Sequence, residues 1–172
     1  PTPAPIQTLM TQPASQSEGG EAEASRDPSV LEAARRAKMA RIVELVSARE
    51  AQLEAADTGI RVLRLMLEGA NMERAMWELR FATYDTRSVE TLRDSRRRLS
   101  AVTHRLDLWR DRERQRLDLS SSQVQIQQTR VSSLAPDSDL LPLARERLAA
   151  LGERNRSLLR FVRAIEHMER LT

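Results

Sequence analysis

Between Met39 and Tyr84 an apolar stripe recurs at alternating steps of three and four residues, and no proline interrupts it. One column reads Met39, Val46, Leu53, Ile60, Leu67, Arg74 and Phe81. The other reads Ile42, Arg49, Ala56, Leu63, Ala70, Trp77 and Tyr84. Only Arg49 and Arg74 break it. This spacing is that of one long helix packed in a coiled-coil-like seam, with the stripe facing the core. At the rise of an α-helix the segment is about 69 Å long. A helix of that length spaces, joins or transmits force, and it is a poor wall for a pocket.

Composition agrees. Of 172 residues, 31% are charged and 40% hydrophobic, but only 3% are aromatic and five are glycine. Abundant Ala, Leu, Arg and Glu with few aromatics describes a helical bundle. The net charge of +3 is small beside 28 basic and 25 acidic groups, so no strong single-sign field points to a polyanionic partner. Cysteine is absent, which excludes disulfides and thiolate chemistry. No apolar run approaches the ~18 residues of a membrane span. The opening Pro1 is what a processed or excised segment would show.

Residues 1–27 are rich in Pro, Ser, Thr and Gln and carry no sustained periodicity, the composition of a disordered linker. Asp27-Pro28 then reads as an N-cap and a proline in the first helical turn, with Ser29 and Glu32 a competing capping box. The first helix is expected over 28–84. Asp85, Thr86, Arg87 and Ser88 form a short polar connection. The second helix follows over 88–134, its stripe being Val89, Leu92, Leu99, Val102, Leu106 and Trp109, then Leu117, Val124, Val131 and Leu134. The register slips near Glu113, as at a stutter. Ala135-Pro136-Asp137-Ser138-Asp139 is the second turn. The third helix is expected over 139–171, with Leu141, Ala144, Leu148, Leu151, Asn155, Leu158, Val162 and Ile165 inward. Short connections make neighbouring helices antiparallel. The fold class is all-α: an elongated three-helix antiparallel bundle with coiled-coil-like packing over 28–172.

The third helix is too short to reach the first turn, so residues 72–101 should form a two-helix tip. That tip is apolar on more than one side, with Met72, Met76, Trp77, Leu79, Phe81 and Tyr84 on the first helix. Two helices cannot cover two faces of one of them, so these six residues are the candidate interaction tip.

Catalytic and metal chemistry find little support. His104 and His167 are the only histidines, and neither has a ligand pair at helical spacing. Nucleophile elbows, phosphate loops and dinucleotide fingerprints are missing. No catalytic, cofactor-binding or metal-binding residue is expected. Nine arginines lie between Arg93 and Arg116, and Arg93, Arg96, Arg97 and Arg98 form a candidate basic face. Asp94, Asp107, Asp111 and Glu113 interleave with them, the pattern of a solvated helix face, so no nucleic acid is expected. Arg49, Arg74 and Asn155, polar residues at core positions, read as register-setting. Trp77 and Trp109 fall on apolar stripes and read as core.

Three segments resemble a known family. Met76-Trp77-Glu78-Leu79-Arg80-Phe81-Ala82 is similar to a W-x-x-R-(Y/F)-A stretch in the N-terminal regions of large mechanosensitive channels of the MscS superfamily. Leu106-Asp107-Leu108-Trp109-Arg110 looks like the helix that follows there. The stretch from Asp137 to Leu151, including Pro142-Leu143-Ala144-Arg145-Glu146-Arg147-Leu148, is similar to their third helix. The resemblance spans residues 60–171. It implies a periplasmic helical domain of an inner-membrane, tension-gated channel, serving assembly, tethering or modulation of gating. Its partners would be the rest of its own channel chain and neighbouring subunits of a homo-oligomer, with membrane contact through segments outside this chain. The family's pore-lining helix and its cytoplasmic β-domain are absent, so no gating or conducting residue carries over. The alternative from another class is a stand-alone coiled-coil adaptor that binds a partner helix through its a and d ridges. A third reading is binding of phosphates or anionic lipid by the Arg93–Arg116 face.

Overall fold

A computed structural model of the chain describes residues 28–84 and 88–171. The linker expected over 1–27 and the connection at Asp85, Thr86 and Arg87 lie outside the described residues. Three helices account for the described fold: α1 (Pro28–Tyr84), α2 (Val89–Ser133) and α3 (Leu141–Leu171), with no strand among the described residues. By its contacts the chain divides at Met39. Before that point α1 contributes Pro28–Met39, which are exposed. The bundle described below is the unit from Ala40 on.

The helix ends follow from local chemistry. Ser88 has an extended backbone (φ −77°, ψ 119°), and its hydroxyl accepts from the Thr91 amide at 3.4 Å, an N-cap. Glu90 in the first turn suits the positive end of the helix dipole. At the other end Pro136 biases Ala135 away from helical geometry, and Leu134 is extended. The turn is then closed by the Ser138 amide donating to the Ala135 carbonyl at 3.0 Å. The Ser138 hydroxyl accepts from Leu140, and its carbonyl accepts from Leu141. That turn delays α3 to Leu141, two residues later than the sequence suggests.

Ion pairs fix the helix directions. Glu44 meets Arg130, Arg61 meets Glu113, and Glu68 meets Arg105, so α2 runs antiparallel to α1. Gln127 donates to the Ala144 carbonyl at 3.0 Å and Arg110 pairs with Glu169 at 2.9 Å, so α3 runs antiparallel to α2. Arg154 pairs with Glu54 at 2.8 Å, and Met168 lies against Gly69, so α3 runs parallel to α1.

The main core gathers Val62, Leu106, Leu158, Phe161, Ile165 and Met168, flanked by Leu65, Met72, Val102, Trp109 and Leu117. Trp109 and Phe161 stack at a tilt, centroids 5.8 Å apart. A second cluster joins Ala51, Ala150 and Leu151, with Val124 against it. The inward stripe expected for α3 is where the sequence put it. Leu141, Ala144, Leu151, Leu158, Val162 and Ile165 are buried, and half-buried Asn155 accepts from the Ser121 hydroxyl at 3.1 Å.

Helix α1 corrects the sequence reading. Within the bundle unit the expected core stripe points outward: Ile42, Val46, Leu53, Ile60, Leu63, Leu67, Trp77, Phe81 and Tyr84 are all exposed, and Met39, before that unit, is exposed too. The face that packs on α2 and α3 is Glu44, Ala48, Ala51, Ala55, Thr58, Val62, Gly69 and Met76. With half-buried Leu65 and Met72 between them, these also alternate steps of four and three, a second heptad on the nearly opposite side of the helix. The physical reason is size. α3 brings large side chains (Leu151, Leu158, Phe161, Met168), and a close-packed interior needs small ones opposite. At Gly69 a β-carbon would lie 2.9 Å from the Met168 sulfur and Cε. The larger outward residues have no place there.

The register slip expected near Glu113 is not there: the apolar stripe falters only because the buried positions turn polar. Leu106, Glu113, Ser120 and Gln127 lie seven apart and form the buried line of α2. The heptad continues without a break, and three of its four buried positions are polar.

Candidate functional site

The outer face of α1 is a surface no other described element covers. Its large apolar residues run from Ile42 to Tyr84, and Leu53, Leu63 and Leu67 are 68%, 67% and 66% exposed. Large apolar side chains this exposed, recurring along one helix face, are uncommon on a bundle surface. Here the face carries the two-position heptad of a helix-pairing seam. Arg49 and Arg74 lie on it and are tied at its margins. Arg49 donates to Gln52 at 2.8 Å and reaches Glu146 of α3 at 3.9 Å, while Arg74 pairs with Glu78 at 2.9 Å. Both guanidiniums therefore lean off the seam and leave their aliphatic stems along it.

The six residues of the expected interaction tip divide between the two faces. Met76 is buried and Met72 and Leu79 are half-buried on the inner face. Trp77, Phe81 and Tyr84 end the outer stripe, with Trp77 and Phe81 ring centroids 6.3 Å apart and Arg80 stacked 5.2 Å from the Trp77 centroid. Arg80 also donates to the Leu171 carbonyl, which ties this end of α1 to the last turn of α3. Trp109 is half-buried, its ring covered on one side by Arg105.

Arg93, Arg96, Arg97 and Arg98 are all exposed near the start of α2. Arg93, Arg96 and Arg97 border an open groove with Ser100, and Arg98 turns back to Asp94 at 2.9 Å. His104 and His167 are exposed on different helices. Among the described residues no three His, Cys, Asp or Glu side chains gather as a metal site would require, and none of the helices is long and apolar enough to cross a membrane.

Sequence reasoning missed the buried ion pairs between α1 and α2. Glu113 is nearly inaccessible. Arg61 donates to both its carboxylate oxygens at 3.1 and 3.2 Å, and Arg116 to one of them at 2.6 Å. Burial raises the Glu113 carboxyl above its ordinary range, against the opposing pull of Arg61 and Arg112. Glu44 is equally buried and is held by Arg130 through one oxygen. The seven-residue spacing from Leu106 to Gln127 is the signal that would have found this line. Both carboxylates are matched by an arginine from the facing helix, and removing that arginine would strand a buried charge.

No family model, curated protein or solved structure matches the chain.

Proposed function

We propose that the chain is a non-catalytic assembly module that docks a further helix along the outer face of α1. One observation carries this reading: a heptad stripe of large apolar residues is turned away from the bundle that its own helix builds. Burying a Leu, Val, Ile or Phe side chain contributes about 1.5–3 kcal/mol, so a seam left in water across six heptads is a large reserve of binding energy. A helix laid into it by a and d ridges is the match for such a face.

The test is a photo-reactive residue placed at Leu63 in the full-length protein, expressed in its own cells, with Gln115 on the outside of α2 as control. Cross-links from Leu63 and none from Gln115 support the reading. Absence of any product from Leu63, Leu53 and Leu67 overturns it.

A second reading keeps the setting implied by the resemblance, the periplasmic part of an MscS-superfamily channel. The docked helix would then belong to the same channel chain or a neighbouring subunit. It is favoured by the placement of Trp77 and Phe81, from the resembling segment, at the exposed end of the seam. Detergent-dependent extraction of a product far larger than 19.6 kDa would support it, and a soluble product of this mass would end it.

A further inference from the structure

The outer face of α1 is not only apolar: its two arginines are placed symmetrically, and its large and small residues alternate in complementary order on either side of one midpoint. The seam from Ile42 to Phe81 has its midpoint between Arg61 and Val62, and Arg49 and Arg74 stand equally far from it on either side. We infer that the occupant of this face is a second copy of the chain, running antiparallel, with the two-fold axis crossing α1 at that midpoint. This inference rests on the reading of the face as a helix-docking seam and adds the partner and its direction.

Size complementarity is the first argument. In the antiparallel arrangement Leu53 of one copy faces Ala70 of the other, Ala56 faces Leu67, and Ile60 faces Leu63. The layers on either side of the central Ile60–Leu63 pair set a leucine against an alanine, as interdigitating cores require, and the outer Val46–Trp77 and Ile42–Phe81 layers set an aliphatic against an aromatic residue. In a parallel arrangement in register, Ala56 faces Ala56 and Ala70 faces Ala70, two thin layers between bulky ones, and loose layers of that kind cost stability.

Charge is the second. Residues flanking an antiparallel seam meet their own kind across it, and this sets Asp57 of one copy beside Arg64 of the other, twice by symmetry. Asp57 and Arg64 are exposed and, among the described residues, have no ion-pair partner within the chain. The parallel arrangement leaves both unpaired and brings Glu73 beside Glu78 of the other copy, a repulsion that also occurs twice. The Arg49 and Arg74 layers coincide in the antiparallel pair. Each is bordered by Glu50 of one copy and by Glu73 and Glu78 of the other, so the guanidiniums keep carboxylate neighbours.

The absence of cysteine makes the test clean. The purified chain should sediment as a dimer at micromolar concentrations. Under mild oxidation, L53C mixed with A70C should give a disulfide-linked dimer, and L53C alone should not. D57R and R64D should each raise the dimer dissociation constant about tenfold, and the double variant should recover most of that loss. Both sites are exposed, so circular dichroism should show all three variants as helical as the parent. A dimer that cross-links through L53C alone, or that D57R/R64D does not rescue, overturns the antiparallel arrangement. A chain that stays monomeric overturns the second copy as occupant. If Leu63 nevertheless cross-links to another polypeptide in cells, the docking reading stands and only the identity of the partner falls.

Discussion

Val62 and Leu63 are adjacent in sequence and lie on opposite heptads of α1, so they test which face is the core. Val62 is 4% exposed within the main cluster and Leu63 is 67% exposed. Val62→Ala removes two buried methyl groups, about 1.6 kcal/mol at 0.8 kcal/mol per group. The cavity adds to that loss, and better helix propensity returns about 0.5 kcal/mol. The net cost is about 2 kcal/mol. Leu63→Ala removes more carbon, but only about a third of the side chain leaves water, so its cost to the bundle is below ~1 kcal/mol. Urea unfolding followed by circular dichroism reads both. With a slope of about 2 kcal/mol per molar, Val62→Ala should lower the midpoint by ~1 M and Leu63→Ala by under ~0.5 M. The measurement belongs at submicromolar concentration, where association is weakest. At higher concentration the Leu63→Ala deficit should grow, because wild type gains stability by mass action, while the Val62→Ala deficit should hold. The reverse order of costs at low concentration, with Leu63→Ala the more damaging, would refute the inner face described here.

Other consequences are as accessible. Because folding raises the Glu113 carboxyl, the folded state holds that proton more tightly than the unfolded state does. Its contribution is therefore fully present below the ordinary carboxylate range and is lost as pH rises through the raised value. Urea midpoints from pH 3 to pH 7 should show the difference between wild type and Glu113→Gln falling as pH rises; a difference that grows with pH would contradict the assignment to burial. Gly69→Leu should destabilise by about 1–3 kcal/mol, because a β-carbon already displaces the end of the Met168 side chain, 2.9 Å away, and three further carbons overpack the core. Gly59→Ala, with nothing within 4 Å, should stabilise by about 0.5–1 kcal/mol, and thermal melts of the two variants check both signs. Ser88→Ala removes the α2 cap and should cost up to about 1 kcal/mol, with amide exchange accelerated at Thr91 and its neighbours.

The three helices and the turn after Leu134 were legible in the sequence, since proline, capping serines and hydrophobic period act locally. The inward stripe of α3 was legible too, because that helix has one apolar face and a polar remainder. α1 was misread for a specific reason. It carries two heptads, and hydrophobicity ranks the stripe of Leu, Ile and Val above the row of Ala, Thr and Gly. Packing ranks them the other way: Ala51 sits in one cluster with Leu151, and Gly69 leaves the room that Met168 fills, while Val62, Leu65 and Met72 supply the larger residues of the same face. That is a property of the pair of helices, which neither segment displays alone. The polar line of Glu113, Ser120 and Gln127 left only its seven-residue spacing in the sequence, and hydrophobicity hides that signal until the arginine 52 positions away is known to face Glu113.

Carrying two seams on one backbone restricts how a chain of this kind can change length. Adding one residue within α1 turns everything beyond it by about 100° and throws both faces out of line at once, the inner against Glu113 and the outer against the helix we propose it docks. Seven residues return both faces to phase, provided α2 gains seven at the matching level. Insertions and deletions that survive in α1 should therefore come in sevens and in pairs, and a chimera joining α1 segments of different origin should fold only when its junction respects that count.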